Sequence, residues 1–194
     1  MGYVTRDQFK LYRGIAVTNS KDDALVDYLI DRATAQIDTY TDRTFAATST
    51  ACRYYDAIRD TSDDHMTLYL DEDLAEVTLV VNGDAKTITS TGYTPVPRND
   101  TPYRQIRLNY DCYGTWTWTT RPESAIKVTG YWAYSKSPPA DIQHATIRLT
   151  GYLYAQKDST VFDVTMMPQQ GVMTVPQGFP RDVREILEPY RRLR

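Results

Sequence analysis

Few residues in this chain have the types and spacing that chemistry needs. There are two histidines, His65 and His144, whereas an active site needs acid, base and nucleophile converging in one pocket. His144 falls between Ile142 and Ala145 in a stretch of helical period and reads as a surface or half-buried side chain rather than a proton shuttle. Asp63-Asp64-His65 offers ligand types that suit a divalent ion. Three consecutive residues in a turn cannot all face one ion, however, so the reading is a solvated loop. Asp71-Glu72-Asp73 lacks the glycine and terminal glutamate of a calcium loop and is expected to end a strand with solvated charge. No Walker-type loop, GxGxxG, HExxH or GxSxG motif occurs. The chain therefore reads as non-enzymatic, with no catalytic, cofactor-binding or metal-ligating residue assigned and no cofactor.

Two groupings carry binding chemistry instead. Trp116 and Trp118 alternate with threonine in TWTWTT (115–120) and would share one face of a strand. With Tyr131 and Trp132 they offer a stacking platform, the basis of a rival reading as a carbohydrate-binding or host-adhesion module; same-face aromatics more often fill a core or a subunit interface. The last fourteen residues hold five arginines against three acidic residues, in a chain whose net charge is −3. Charge complementarity at a helix C-terminus is the ordinary explanation. A docking tail is the sharper one, because Tyr190, Arg191 and Arg192 are residue types that dominate protein interfaces.

Composition excludes several classes. The 194 residues, 41% hydrophobic and 24% charged, are enough to bury a core and are unlike a disordered or disulfide-stapled chain. A net acidic chain lacks the basic field that wraps nucleic acid. No apolar run exceeds four residues, and no apolar segment follows Met1; a bilayer span takes about 20 residues, so neither membrane insertion nor a secretory leader is expected. Cys52 and Cys112 are accordingly read as free thiols. Sixteen tyrosines against four phenylalanines, with 26 threonines, favour pleated surfaces and amphipathic contacts.

The elements that must position these residues follow from periodicity. Thr5 and Gln8 form a capping-box pattern, Phe9 and Tyr12 share a face, and Gly14 is placed to end a short helix. Ser20 with Asp23 is a looser start signal. Val26, Ile30, Ala33, Ile37 and Tyr40 then recur at helical spacing, leaving Asp27, Asp31, Arg32, Gln36 and Asp38 on the other faces. From about Thr50 the period shortens towards 2, with strands expected at 66–70, 77–81, 103–109, 115–120 and 125–132 and a two-residue type I′ hairpin at Asn82-Gly83. Helical period returns after Pro138-Pro139, with Asp141 as N-cap and Ile142, Ala145, Leu149, Tyr152 and Leu153 following. Residues 158–179 lack a period and read as a long arm that needs something to lie against. Pro180 opens a terminal helix bearing Val183, Ile186, Leu187 and Tyr190, limited by Pro189.

Taken together, IDTYTDRTF (37–45), VTLVVNG (77–83), VTGYWAY (128–134), PADIQHATIRLTGYLYAQKD (139–158) and LEPYRRLR (187–194) resemble the head-tail connector, or adaptor, proteins of long-tailed bacteriophages. The resemblance implies a structural virion protein located in the neck and made in the cytoplasm of a bacterial host. It implies a homo-oligomeric ring of about twelve copies, a heterologous contact closed by rotation. It further implies the portal protein above, a head-closure, stopper or tail-completion protein below, and phage DNA passing through the lumen without sequence-specific binding. The C-terminal docking segment would be Ile186, Leu187, Tyr190, Arg191, Arg192, Leu193 and Arg194. Asp27 and Asp31, placed on one side of their helix, are candidates to face the channel. A head-closure or tail-completion protein is the nearest alternative.

The expected architecture is α+β: an α-helical bundle of two long antiparallel helices plus short terminal helices, formed by 1–49 and 136–194, with an inserted antiparallel β unit at 50–135.

Overall fold

The computed structural model describes residues 2–158, 164–167, 171–174 and 179–192. In chain order the elements are α1 (Arg6–Arg13), α2 (Asp23–Thr41), β1 (Ala51–Tyr55), β2 (Thr67–Leu74), β3 (Glu76–Val81), β4 (Thr87–Ile88), β5 (Tyr93–Val96), β6 (Tyr103–Leu108), α3 (Tyr110–Tyr113), β7 (Ile126–Tyr131), α4 (Ala140–Ala155), β8 (Val164–Met167), β9 (Gly171–Thr174) and α5 (Arg181–Leu187). They fall into two compact units, Met1–Asp42 with Pro139–Arg194, and Arg43–Pro138.

In the helical unit, local sequence chemistry sets the ends of α1. Gln8 N–H donates to Thr5 Oγ1 at 3.3 Å and Thr5 N–H to Gln8 Oε1 at 2.8 Å, the reciprocal capping box. Gly14, at φ 68°, takes the left-handed turn that ends the helix. In α2 the stripe Val26, Ile30, Ala33 and Ile37 is buried as its spacing dictates, joined by Leu29. Its start differs from expectation: Asp22 holds the N-cap position but makes no cap, and its carboxylate instead accepts from Tyr154 Oη at 2.5 Å and Lys157 Nζ at 2.8 Å. In α4 the N-cap is Pro139 rather than Asp141, which sits in the first turn, while Ile142, Ala145 and Leu149 are buried. Val4, Phe9, Val26 and Ile30 form one small core, with Ile147 and Tyr154 against it. Tyr12, expected beside Phe9, is half exposed.

The β unit has two antiparallel sheets, ordered β1-β7-β3-β4 and β2-β6-β5. Alternation along each strand turns one face inward: Leu68 and Leu70 from β2, Val80 from β3, Ile106 and Leu108 from β6, and Ile126 and Val128 from β7 meet in a single core with Tyr55, Trp116 and Trp132. The β3–β4 hairpin forms, but not through a two-residue turn. Its loop runs over residues 82–86, closed by Asn82 N–H to Lys86 O at 2.9 Å, and the positive φ falls on Ala85 rather than on Asn82 or Gly83. Gly83 is needed for another reason: a Cβ there would overlap the Thr117 carbonyl oxygen, because the backbone bridges to Trp118. TWTWTT is correspondingly not a strand; it is held by that bridge, by the Trp116 N–H bond to His65 O at 2.7 Å, and by the Asn82 side chain, which accepts from Thr117 N–H at 3.1 Å and donates to Thr115 O at 3.3 Å.

These sheets correct the expected architecture. The chain is not a bundle of two long antiparallel helices carrying an insert. Among the described residues, seven strands in two sheets close the largest core, and four helices, α1, α2, α4 and α5, form a separate unit. The helical stripes are real and bury large side chains such as Phe9, Ile37, Ile142 and Leu149, but the largest contiguous core lies between the sheets. The fold is organised by which apolar faces meet, and here the two sheets face each other across the largest core. Within the expected arm, β8 and β9 pair as a hairpin, Val164 opposite Thr174 and Met167 opposite Gly171; the rest of 159–178 lies outside the described residues.

Candidate functional site

The expected docking segment begins on α5, and its apolar side is built into the helical unit. Val183 and Leu187 are fully buried and Ile186 is half-buried, whereas Arg181, Arg184 and Glu185 point outward. Helical spacing accounts for this split, since 183, 186 and 187 fall on one face. Arg148 of α4 forms an ion pair with Asp182, which holds the start of α5.

After Leu187 a tight turn, Glu188–Tyr190, brings the chain back over α2. Tyr40 is the anchor. Its hydroxyl donates to Glu188 Oε2 at 2.8 Å, the Arg191 guanidinium lies 5.5 Å from its ring centroid, and the Phe179 ring lies 5.0 Å away. Arg192 N–H donates to Thr41 O at 2.9 Å, and Tyr190 Oη to Asp141 Oδ2 at 3.2 Å. The Tyr40 hydroxyl and then Arg191 hold the Glu188 carboxyl below the usual carboxylate range, while burial and the Glu188 contact push the Tyr40 phenol up. Arg191 remains exposed; Leu193 and Arg194 lie outside the described residues. A groove of about 390 Å³ runs along this side of α2, lined by Arg32, Ala35, Gln36, Thr39, Tyr40 and Phe179.

The candidate channel residues differ in setting. Asp27 is half-buried and bound to Arg6, whose Nε donates to Oδ1 at 2.9 Å; the same guanidinium reaches Asp23 Oδ2 at 2.7 Å. That pairing holds the Asp27 carboxyl low. Asp31 is exposed. Sequence reasoning missed the cluster behind Asp27: Lys10 is buried, forms an ion pair with Asp23 at 2.5 Å, and donates to the carbonyls of Val17 at 3.1 Å and Asn19 at 2.7 Å. A lysine three positions before the end of a wet helix carries no local mark of burial.

In the β unit the aromatic platform does not assemble. Trp116 is 1% and Trp132 7% exposed, both inside the core; Trp132 Nε1 donates to Ala51 O at 2.9 Å. Trp118 is exposed, edge-on to His65 with centroids 6.2 Å apart. The acidic run is only partly solvated. Asp71 accepts from Tyr55 Oη at 2.7 Å and Glu72 pairs with Arg53, but Asp73 is buried and ion-paired with Arg43. Here the alternation of β2 overrides the charge, turning Asp73 inward where an arginine can meet it. Asp64 turns back on Ser62 Oγ and on Met66 N–H, as a loop carboxylate does. His144 is exposed, beside Tyr12. Among the described residues no cluster of three or more His, Cys, Asp or Glu could hold a metal ion, and no helix is long and apolar enough to cross a membrane. Cys52 is an exposed free thiol.

A family model described as head completion protein matches residues 3–193. Three solved chains share the fold. One, from the neck of an empty GTA particle computed with C6 symmetry, is 15% identical, with 99% of this chain and 91% of that chain covered and a TM-score of 0.59. A second, from the neck of a native GTA particle computed with C12 symmetry, is 18% identical with 97% and 88% covered and a TM-score of 0.53. A third, from the virion of a native gene transfer agent particle, is 19% identical with 99% and 91% covered and a TM-score of 0.54. No curated protein matches by sequence.

Proposed function

We propose that this chain, which belongs to the head completion protein family, is a structural component of the virion neck that joins the capsid vertex to the tail. Copies form a ring of about twelve beneath the portal by a heterologous contact that closes on itself, and the ring extends the DNA channel. The observation that carries the reading is the family match along nearly the whole chain, residues 3–193. The fold shared with neck chains of particles computed with C6 and C12 symmetry supports it. A net charge of −3 is compatible with a lumen through which DNA moves without being held, since each lysine or arginine on a phosphate would add salt-dependent drag.

The docking segment acts in two parts in this reading. Leu187, with the half-buried Ile186, anchors it to the helical unit, while Tyr190, Arg191, Arg192, Leu193 and Arg194 reach the portal. Asp31, exposed on α2, and Asp27, half-buried beside Arg6, are the channel-facing candidates.

Native mass measurement of the full chain, alone and after mixing with portal rings, tests this. The expected result is a stoichiometric ring on the portal that is lost when residues 188–194 are removed. A chain that ignores the portal but joins a purified tail-side neck protein would overturn the portal assignment in favour of a head-closure or tail-completion position. Portal binding unchanged by the truncation would overturn the docking assignment.

A further inference from the structure

We propose that the β8–β9 hairpin of one copy adds to the free edge of β1 in a neighbouring copy, so that copies join donor to acceptor around the ring. The inference rests on the neck-ring reading above. On the donor side, β8 pairs with β9, and among the described residues no third strand joins them. A two-stranded hairpin is marginal in water and gains independent stability from a further strand or a packed face. The strand sequences VTMM and GVMT contain no proline and no charge, the usual devices that keep a strand from pairing.

On the acceptor side, the edges of the two larger sheets are guarded unequally. The outer edge of β2 is taken by the chain before it: Tyr69 N–H donates to Asp60 O and Ser62 N–H to Thr67 O, both at 2.8 Å, and Thr61 bridges to Leu68. β5 contains Pro95 and is followed by Pro97, and β4 is two residues long. β1 has none of these protections. Its five residues, ACRYY, pair with β7 on one side and, among the described residues, with no strand on the other, and Ala51, Cys52 and Tyr54 are exposed. Its one charge, Arg53, is turned to Asp71 and Glu72 and lies over the Trp132 ring at 4.8 Å.

A four-residue donor strand and a five-residue acceptor edge are matched in length, and strand addition supplies main-chain hydrogen bonds without needing a side-chain pocket. Because donor and acceptor are different surfaces of one chain, the contact is heterologous, the kind that generates rings.

Cys52 supplies the test. In full-length chain carrying Cys112→Ser, single cysteines are placed in turn at Thr165, Met167, Val172 and Thr174, oxidised mildly on the portal, and run on non-reducing gels beside native mass measurements. Cross-strand neighbours bring Cβ atoms to about 4.5–5.5 Å, close to disulfide reach. The expected result is a ladder of covalent multimers at one or more positions, abolished by Cys52→Ser. Rings of full mass with no ladder above the Cys52→Ser background at any position would overturn the strand addition and leave the ring reading standing. A disulfide closed within one chain would also overturn it, by making the hairpin a partner of its own β1. A chain that never assembles would overturn both. Independently, Val172→Pro should lose the ring while keeping its far-UV circular dichroism; a ring that survives it counts against the proposal.

Discussion

Removing the Asp73 carboxylate while leaving its arginine in place should destabilise the β unit by about 3–5 kcal/mol, the cost of breaking a buried ion pair from one side. The side chains of Arg43 and Asp73 are 7% and 4% exposed. In Asp73→Ala the guanidinium stays where it is beside the Tyr134 ring, 5.7 Å away, a cation–π contact worth about 0.5–2 kcal/mol and too small to replace the carboxylate. The second cation near Asp73, Arg104, sits at 3.9 Å with its side chain 55% exposed, so it returns to water with little loss. Because the penalty belongs to the stranded charge, the double substitution Arg43→Met with Asp73→Leu should recover most of it, ending within about 1 kcal/mol of the parent. Trp116, Trp118 and Trp132 all lie in Arg43–Pro138, so tryptophan fluorescence during urea unfolding reports this unit alone. With urea slopes of about 1–3 kcal/mol/M, the single variant should lose more than about 1 M in midpoint. A single-variant loss under about 1 kcal/mol, or a double variant as unstable as the single, would refute the assignment of the energy to the unpaired guanidinium.

Two further outcomes follow from the same structure. Trp116→Ala should cost about 3–5 kcal/mol by emptying a core site, and Trp118→Ala less than about 1 kcal/mol; equal small losses in urea unfolding, with glycan binding removed by both, would reinstate the adhesion reading. Acidification should loosen the helical unit. Lys157 and the Tyr154 hydroxyl hold the Asp22 carboxyl below its ordinary value, Lys10 and then Arg6 hold Asp23 low, and Arg6 holds Asp27 low. Such groups stabilise the fold above their unfolded value near 4 and lose that contribution as pH falls through the depressed folded values. Asp38, raised by burial, acts in the opposite sense and offsets part of the loss. Helical far-UV circular dichroism followed from about pH 5 to pH 2 should fall, and a flat profile would contradict the stabilising role of the cluster.

The sequence by itself determined what depends on neighbours along the chain. The capping box at Thr5 and Gln8, the left-handed turn at Gly14, the buried stripe of α2 and the strands β3, β6 and β7 all lie where local chemistry and period put them. The kinship was legible too: the resemblance to phage neck proteins, carried by segments spread from Ile37 to Arg194, is borne out at the level of the head completion protein family.

Tertiary structure decided everything that depends on what faces a residue across space. Gly83 serves a close approach to Thr117 rather than a two-residue turn, Trp116 fills a core rather than a platform, and Asp73 and Lys10 are buried because distant partners meet their charge. The balance between helices and sheets falls in the same class. Periodicity tells which face of an element is apolar, but which faces meet, and so where the largest core forms, is set by tertiary packing.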